Sequence, residues 1–467
     1  MLTFVSKYAT AAHLALMTVA PLFLFPFCGE EVIAKVLLWF SLLGAVWNVM
    51  SPSVKGNERP HDARLRFAYE VVRDPLFWAG LVLVAFAGIR SLNGGVAFVY
   101  DAETYSWSLS LPTVEILPGC VDGAGFLPFS MSVALLVLLQ GFRHALDRRA
   151  VIGYLVSASA LAGLSAIVVV AAMSYGNKSV LSLVECSYLT PYFMGTAYGI
   201  HFICGFAALF CCVEENMVAA ELLTVVSLAA MVLGLVMFSP PATLAVFALA
   251  FIVVAPLSFV LHRKAVSGAG SLRCMLAVAL ILLSAVSPFF LCDESQAIVD
   301  RRDAIIAVKM LPDGFMATRR ALSGIALNVW KENPWLGSGL GSFLLDIKYF
   351  ATPESWSVIS PLQTSATFGW WQLLAERGIL GLLMLVMTCG FLIFTYARRL
   401  VLSFEAAHFR SVHILGPLVF LVLAAMAFVD CSFLRVDVLL AGAAAMSLSA
   451  AALPEARRAD SNAKGVK

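Results

Sequence analysis

Twelve apolar runs, each near the length that carries a helix through a lipid bilayer, follow one another along this 467-residue chain. They lie near 8–28, 33–52, 76–96, 127–142, 151–174, 191–213, 218–238, 240–261, 274–292, 378–396, 413–430 and 434–453. A helical crossing takes about 20 apolar residues, because the bilayer core offers no water to an open backbone group. Composition agrees: 61% of residues are hydrophobic and 13% charged, against about 45–50% and about 25% in soluble domains. The expected fold is an all-α polytopic membrane protein of about twelve transmembrane helices. The first run has the length of a signal peptide, but it lacks a convincing small-residue cleavage site and another span follows at once. It reads as a retained span.

The net charge of +2 carries no nucleic-acid signal, whereas the placement of the charges orients the chain. With the N-terminus inside, the inner segments hold 19 of the 31 basic residues, among them Arg59, Arg64, Arg66, Arg143, Arg148, Arg263, Arg398 and Arg457. The 97–126 loop has no Lys or Arg, and the 175–190 loop has only Lys178. The 293–377 segment carries eight, but a loop of that length is translocated largely regardless of charge. Both termini are thus expected in the cytoplasm. The expected organisation is spans one to nine in 1–292, a large extracytoplasmic loop in 293–377, spans ten to twelve in 378–453 and a cytoplasmic tail in 454–467.

Ten cysteines are scattered along the chain without CxxC or Cys/His spacing, so a structural metal is not expected. Cys28, Cys120, Cys186, Cys292 and Cys431 fall near the expected outer face. A disulfide is permitted there, with no pairing singled out. No GxxxxGK[ST] run occurs, which argues against direct use of ATP, and no cofactor is expected.

The long loop carries the chemistry-bearing pattern. Thr318 to Lys331 (TRRALSGIALNVWK) sets Leu322, Ile325, Ala326, Val329 and Trp330 at helical spacing, with Arg319 and Arg320 in the first turn. Asn333-Pro334 ends that helix, since a residue before proline is pushed out of the α region. Gly337, Gly339 and Gly341 then alternate with Ser338, Leu340 and Ser342 (NPWLGSGLGSF), which permits a tight turn or close approach to a ligand. Beside arginines, whose guanidinium groups pair with diphosphate oxygens, such a run suits an anionic ligand. Gln372 to Gly381 (QLLAERGILG) leads into the tenth run, with Trp370 and Trp371 just before it at interface height. Arg90 stands at the outer end of the third run, either lining a diphosphate pocket or anchoring its helix at the headgroups. Tyr100 to Trp107 (YDAETYSW) suits a carbohydrate or any wet loop.

The order Arg319, Pro334 with its glycine run, then QLLAERGILG entering a membrane helix resembles the O-antigen ligase and polymerase family of bacterial membrane glycosyltransferases. The twelve-run layout with the long loop between runs nine and ten is similar as well, and GTAYGIHFICGF at 195–206 is a weaker likeness. The resemblance implies a GT-C-like fold in the bacterial inner membrane with the 293–377 loop periplasmic. It implies transfer of a glycan from a polyprenyl diphosphate carrier to a lipid A core or a growing polysaccharide. Arg319 matches the family arginine that binds the departing diphosphate, with Arg320, Arg90, the three glycines, Gln372, Trp370 and Trp371 as substrate-binding candidates. Where the family places a catalytic His-Asn pair this chain has Thr367-Phe368, and a further family arginine is replaced by Ser239-Pro240-Pro241. Threonine has no useful basicity, so Glu376, Asp346 and His201 become the candidate bases. His201 qualifies as an ionisable residue within a membrane run.

Other readings stay open from the residues. A peptidoglycan polymerase of the shape, elongation, division and sporulation type also ends in an outward loop entering a helix, but places an aspartate where TSATFGWW (364–371) has no acid. A transporter would show paired halves, which this chain lacks. A catalytically degenerate glycan-lipid binding protein is the remaining alternative.

Overall fold

The computed structural model describes residues 2–24, 28, 30–50, 52, 59–94, 98–101, 106–109, 126–146, 148–174, 194–239, 241–261, 269–286, 315–356, 359, 369–403, 410–429 and 435–451. The chain is a helical membrane protein: among the described residues, seven helices are long and apolar enough to cross a bilayer and five more are shorter apolar helices.

The first group is α1 (Leu2–Leu24), α2 (Glu30–Met50), α3 (Pro60–Arg73), α4 (Pro75–Leu92), α5 (Phe126–Gln140) and α6 (Arg148–Ser174). Between α4 and α5, among the described residues, β1 (Phe98–Asp101) pairs antiparallel with β2 (Ser106–Leu109), so that Tyr100 stands opposite Trp107. The strands take up Tyr100, Asp101, Ser106 and Trp107 of the YDAETYSW stretch, and in β2 Trp107 and Leu109 alternate with Ser106 and Ser108, the period of a strand rather than of a helix.

The second group is α7 (Met194–Glu214), α8 (Val218–Phe238), α9 (Pro241–Leu261) and α10 (Ala269–Val286). Helix α7 is the axis of the bundle: every residue from Met194 to Val213 is buried, under α6, α8, α9, α10 and two later helices, α15 (Arg410–Val429) and α16 (Val436–Ala451). A helix apolar all round has no water-facing side and takes the interior. Small residues let its neighbours come close: a Cβ at Gly199 would lie 2.4 Å from the Phe247 ring, and one at Gly195 would overlap Ser239.

At the α3–α4 corner Asp74 caps α4 through Leu76 N–H at 3.1 Å and accepts from Arg143 at 2.6 Å and from His144 at 3.2 Å. Burial pushes the Asp74 carboxyl up, but the His144 bond, the Arg143 charge and the Leu76 N–H together hold it below the usual carboxylate range. The corner thereby locks α4 to the π-helical turn Gly141–Ala145 that ends α5.

The long segment before the last helices contributes α11 (Phe315–Glu332), α12 (Phe343–Phe350), the single turn α13 (Pro353–Trp356) and α14 (Gly369–Ser403). Helix α11 ends at Glu332, where Asn333-Pro334 was expected to stop it. Its expected apolar face is buried, with Leu322, Ile325, Ala326 and Val329 packed on Phe343, Ile347 and Ala375 in a small core separate from that of the bundle. Of the cysteines named near the outer face only Cys28 is described, and it is a free thiol; the other four lie outside the described residues.

Close packing around α7 makes a direct prediction. Gly199→Leu should cost about 1–3 kcal/mol through overpacking against Phe247 and lower Tm in detergent. Gly390→Leu on α14 should not, since a Cβ there meets nothing within 4 Å.

Candidate functional site

The NPWLGSGLG and LLAERGILG motifs are two halves of one joint. Helix α14 breaks at Gly378, whose backbone (φ 64°, ψ −170°) leaves the helical region. A break of this kind exposes carbonyls before it and N–H groups after it. The glycine loop supplies both sets of partners: Ser338 N–H donates to Ala375 O at 2.9 Å and Gly339 N–H to Glu376 O at 3.3 Å, while Ile379 N–H donates to Pro334 O at 2.9 Å and Leu380 N–H to Trp335 O at 3.1 Å. Contact is backbone against backbone. A Cβ on Gly337 (φ 72°) would lie 2.4 Å from the Glu376 carbonyl carbon, and one on Gly378 would lie 2.4 Å from that of Trp335.

This geometry revises the reading of the glycines as a diphosphate cradle. Gly337 N–H donates to Asn333 O and Gly339 N–H to Glu376 O, and Gly341 N–H donates to the Glu376 carboxylate. The three donors are committed within the fold, because the loop's first requirement is to close the open helix ends. Arg90 is revised likewise. It is not a headgroup anchor but fully buried, donating to Leu336 O at 2.9 Å and to Glu376 O at 2.8 Å. It pins α4 to both sides of the joint.

Glu376 is buried at the break, its carboxylate accepting from Gln372 at 3.2 Å and from Gly341 N–H. Asp346, at the first turn of α12, is 1% exposed and accepts from Ser338 Oγ at 2.7 Å and Ser342 Oγ at 3.0 Å. Burial raises the Asp346 carboxyl to about 7, against the lowering effect of the two serine bonds and with the negative charges of Glu376 and Glu332 adding to the rise. Its titration therefore falls near neutrality.

The next residue, Arg377, faces the other way. With Trp370 and Gly381 it lines a cavity of about 350 Å³ between α4, α5, α14, α15 and α16, and Gly381 leaves the space over which its stem passes. Trp370 also meets the Phe428 ring at 6.5 Å. Trp371 instead packs on the small loop core, so it serves there as a core side chain rather than as a bilayer anchor or a sugar platform.

Arg319 is half-buried and Arg320 exposed on the first turns of α11. His201 is 2% exposed in α7, a helix packed on membrane helices, whereas Glu376 and Asp346 stand among α4, α11, α12 and the glycine loop. The three candidate bases are thus not one cluster. Thr367 lies outside the described residues. Sequence reasoning passed over Arg377, Ser338 and Ser342, although the Arg-Gly pair inside an apolar run was a visible signal of a charged side chain at a helix break.

Fold and site together define a helical membrane protein with a loop-capped broken helix beside an intramembrane cavity. No family model matches the chain, and no curated protein sequence matches it as a relative.

Two outcomes follow from the joint. Gly378→Ala should destabilise it by about 1–3 kcal/mol from backbone strain alone, and more from the clash with Trp335, read as faster hydrogen exchange over 335–341 and 376–380. Asp346 has a folded-state value above its unfolded one, so its contribution is greatest below about 4 and is lost as pH rises through about 7. Exchange protection of 338–347 should fall by up to about 1.4 kcal/mol per pH unit across that window, and Asp346→Asn should flatten the profile.

Proposed function

We propose that this protein transfers a glycan from a polyprenyl diphosphate carrier to a sugar or glycolipid acceptor at the outer face of a bacterial inner membrane. The observation that carries the reading is the joint, which sets a buried carboxylate, Glu376, beside an arginine that opens onto an apolar intramembrane cavity. A lipid-linked donor needs both surroundings, a polar seat for its head and a dry one for its tail. Among the described residues seven helices are long and apolar enough to cross a bilayer and five more are shorter apolar helices, which supports a lipid-facing many-helix protein. In the proposed topology both termini are cytoplasmic and 293–377 is periplasmic, a reading that the distribution of basic residues favours.

In the proposed reaction an acceptor hydroxyl oxygen bonds to the anomeric carbon from the face opposite the leaving group. The bond from that carbon to the diphosphate oxygen breaks, and its electron pair leaves with the diphosphate. Arg319 neutralises the departing charge, where fixed positive charge stabilises most. Glu376 takes the acceptor's proton in place of the family histidine. Asp346, held by two serines, supports the loop that caps the break.

Purified protein in liposomes, given a lipid-linked glycan and an acceptor glycolipid, should release polyprenyl diphosphate. Glu376→Gln should lower turnover by about 10² to 10⁴ and Arg319→Ala should abolish it, while Asp346→Asn stays within about tenfold. Absence of turnover with several donors, beside a histidine-bearing family member active in the same assay, would replace this reading with that of a glycan-lipid binding protein.

A further inference from the structure

Helix α3 (Pro60–Arg73) joins two membrane helices without being able to cross a bilayer itself. Its 14 residues include Asp62, Arg64, Arg66, Glu70 and Arg73, and at 1.5 Å per residue they span about 21 Å, short of a hydrocarbon core of about 30 Å. Its neighbours α2 and α4 are long and apolar enough to cross. Near its start Arg64 Nε donates to the carbonyl of Met50, where α2 ends, at 3.2 Å, and at its end Asp74 caps α4. Helix α3 is thereby held where the membrane helices stop, at the height of the headgroups.

Two apolar faces run along it. Ala63 and Phe67 are buried, with the Phe67 ring edge-on to His144 of the π-helical turn at 6.3 Å. Leu65, Tyr69 and Val72 recur at i, i+4 and i+7 on the opposite side, each more than half exposed. This second stripe merges with the outward sides of both neighbours. Trp78 Nε1 donates to Val72 O at 2.8 Å, which joins the stripe to α4, where Trp78 and Val82 are more than half exposed. The Arg64 bond to Met50 joins it to α2, where Val46 and Met50 are more than half exposed.

Charge is sorted between the same two sides. Glu70 is drawn to Arg66 at 3.6 Å and to His144 at 3.5 Å, and Asp74 is buried against Arg143 and His144. Arg59, Arg64 and Arg73 are exposed, opposed on the outer surface of the helix by Asp62. The Arg73 guanidinium lies over the Tyr69 ring at 4.3 Å, at the edge of the stripe. Acids turned inward and arginines beside an apolar stripe are the pattern of a helix sunk in a headgroup layer, and the surplus of positive charge selects an anionic one.

We infer that α3 is a recognition surface for anionic lipid headgroups, with Leu65, Tyr69 and Val72 in the acyl boundary and Arg59, Arg64 and Arg73 on the phosphates. In the proposed topology this is the cytoplasmic leaflet. Three stripe residues fall far short of the roughly 20–30 residues a side of a standard protein interface, and the stripe continues into lipid-facing helix sides at both ends. The inference is independent of glycan transfer, since it requires only that α2 and α4 cross the membrane.

The test uses the full-length protein carrying Leu65→benzoyl-phenylalanine in vesicles of phosphatidylcholine and phosphatidylglycerol in equal amounts, with the lipid captured on illumination identified by mass spectrometry. Phosphatidylglycerol should be captured about fivefold in preference, and high salt should reduce that ratio. Arg59→Gln with Arg73→Gln, which leaves the Arg64 bond to Met50 in place, should lower it about threefold, while Arg59→Lys with Arg73→Lys keeps it. The same label as Leu249→benzoyl-phenylalanine, on the exposed side of the uncharged helix α9, should capture both lipids alike. Equal capture of the two lipids at Leu65, or the same preference at Leu249, would remove headgroup recognition and overturn the inference. So would a crosslink to a second copy of the chain, or no captured lipid, because the stripe would then face protein or water. Should the glutamine pair fail to fold, the salt dependence at Leu65 still decides the role of charge.

Discussion

An interrupted helix among apolar helices is held together only if the backbone groups opened by the interruption find partners. In α14 the carbonyls of Ala375 and Glu376 and the N–H groups of Ile379 and Leu380 meet the 334–339 loop, and Arg90 adds its guanidinium to the Glu376 carbonyl. An unmet backbone group in such surroundings costs on the order of several kcal/mol, so helix and loop are conditional on each other. Glycines at 337 and 378 follow from this, because each backbone lies against the other's carbonyl. The small core of α11, α12 and the first turns of α14 presses the loop into place.

Helical geometry just before the break sorts two neighbouring side chains. Glu376 and Arg377 both precede Gly378 and stand about 100° apart on one helical turn. The carboxylate turns into the joint and the neighbouring guanidinium turns to the cavity wall. That angle separates a carboxylate in a hydrogen-bonded polar pocket from a cation beside an apolar cavity, a division that supports the proposed donor with its oily tail and charged head. Asp346 adds a group titrating near neutrality to the loop itself, and joint and loop share that polar network through Ser338.

Class and several boundaries were legible in the chain. Apolar run length pointed to membrane helices and Asn333-Pro334 marked the end of α11, whereas the tenth run, expected to begin at 378, belongs to a helix that begins at Gly369 and is interrupted at Gly378. These are local properties, set by chain length, hydrophobicity and the φ restriction beside proline. The pairing of 98–101 with 106–109 was not anticipated, because four-residue strands carry little periodic signal.

The roles of the site residues needed the third dimension. A GxGxG run is equally compatible with a ligand cradle and with a backbone contact; only the approach of 376–378 decides that Gly337 and Gly339 serve the latter. Arg90 read as an interfacial cation until a segment 246 residues away offered it carbonyls. Trp370 and Trp371 looked equivalent, and they diverge because adjacent positions on one helix face different neighbours. Apolar runs and turn chemistry act over a few residues and can be read along the chain. Hydrogen-bond partners, buried charge and cavities depend on which distant segments meet, and that is decided by packing.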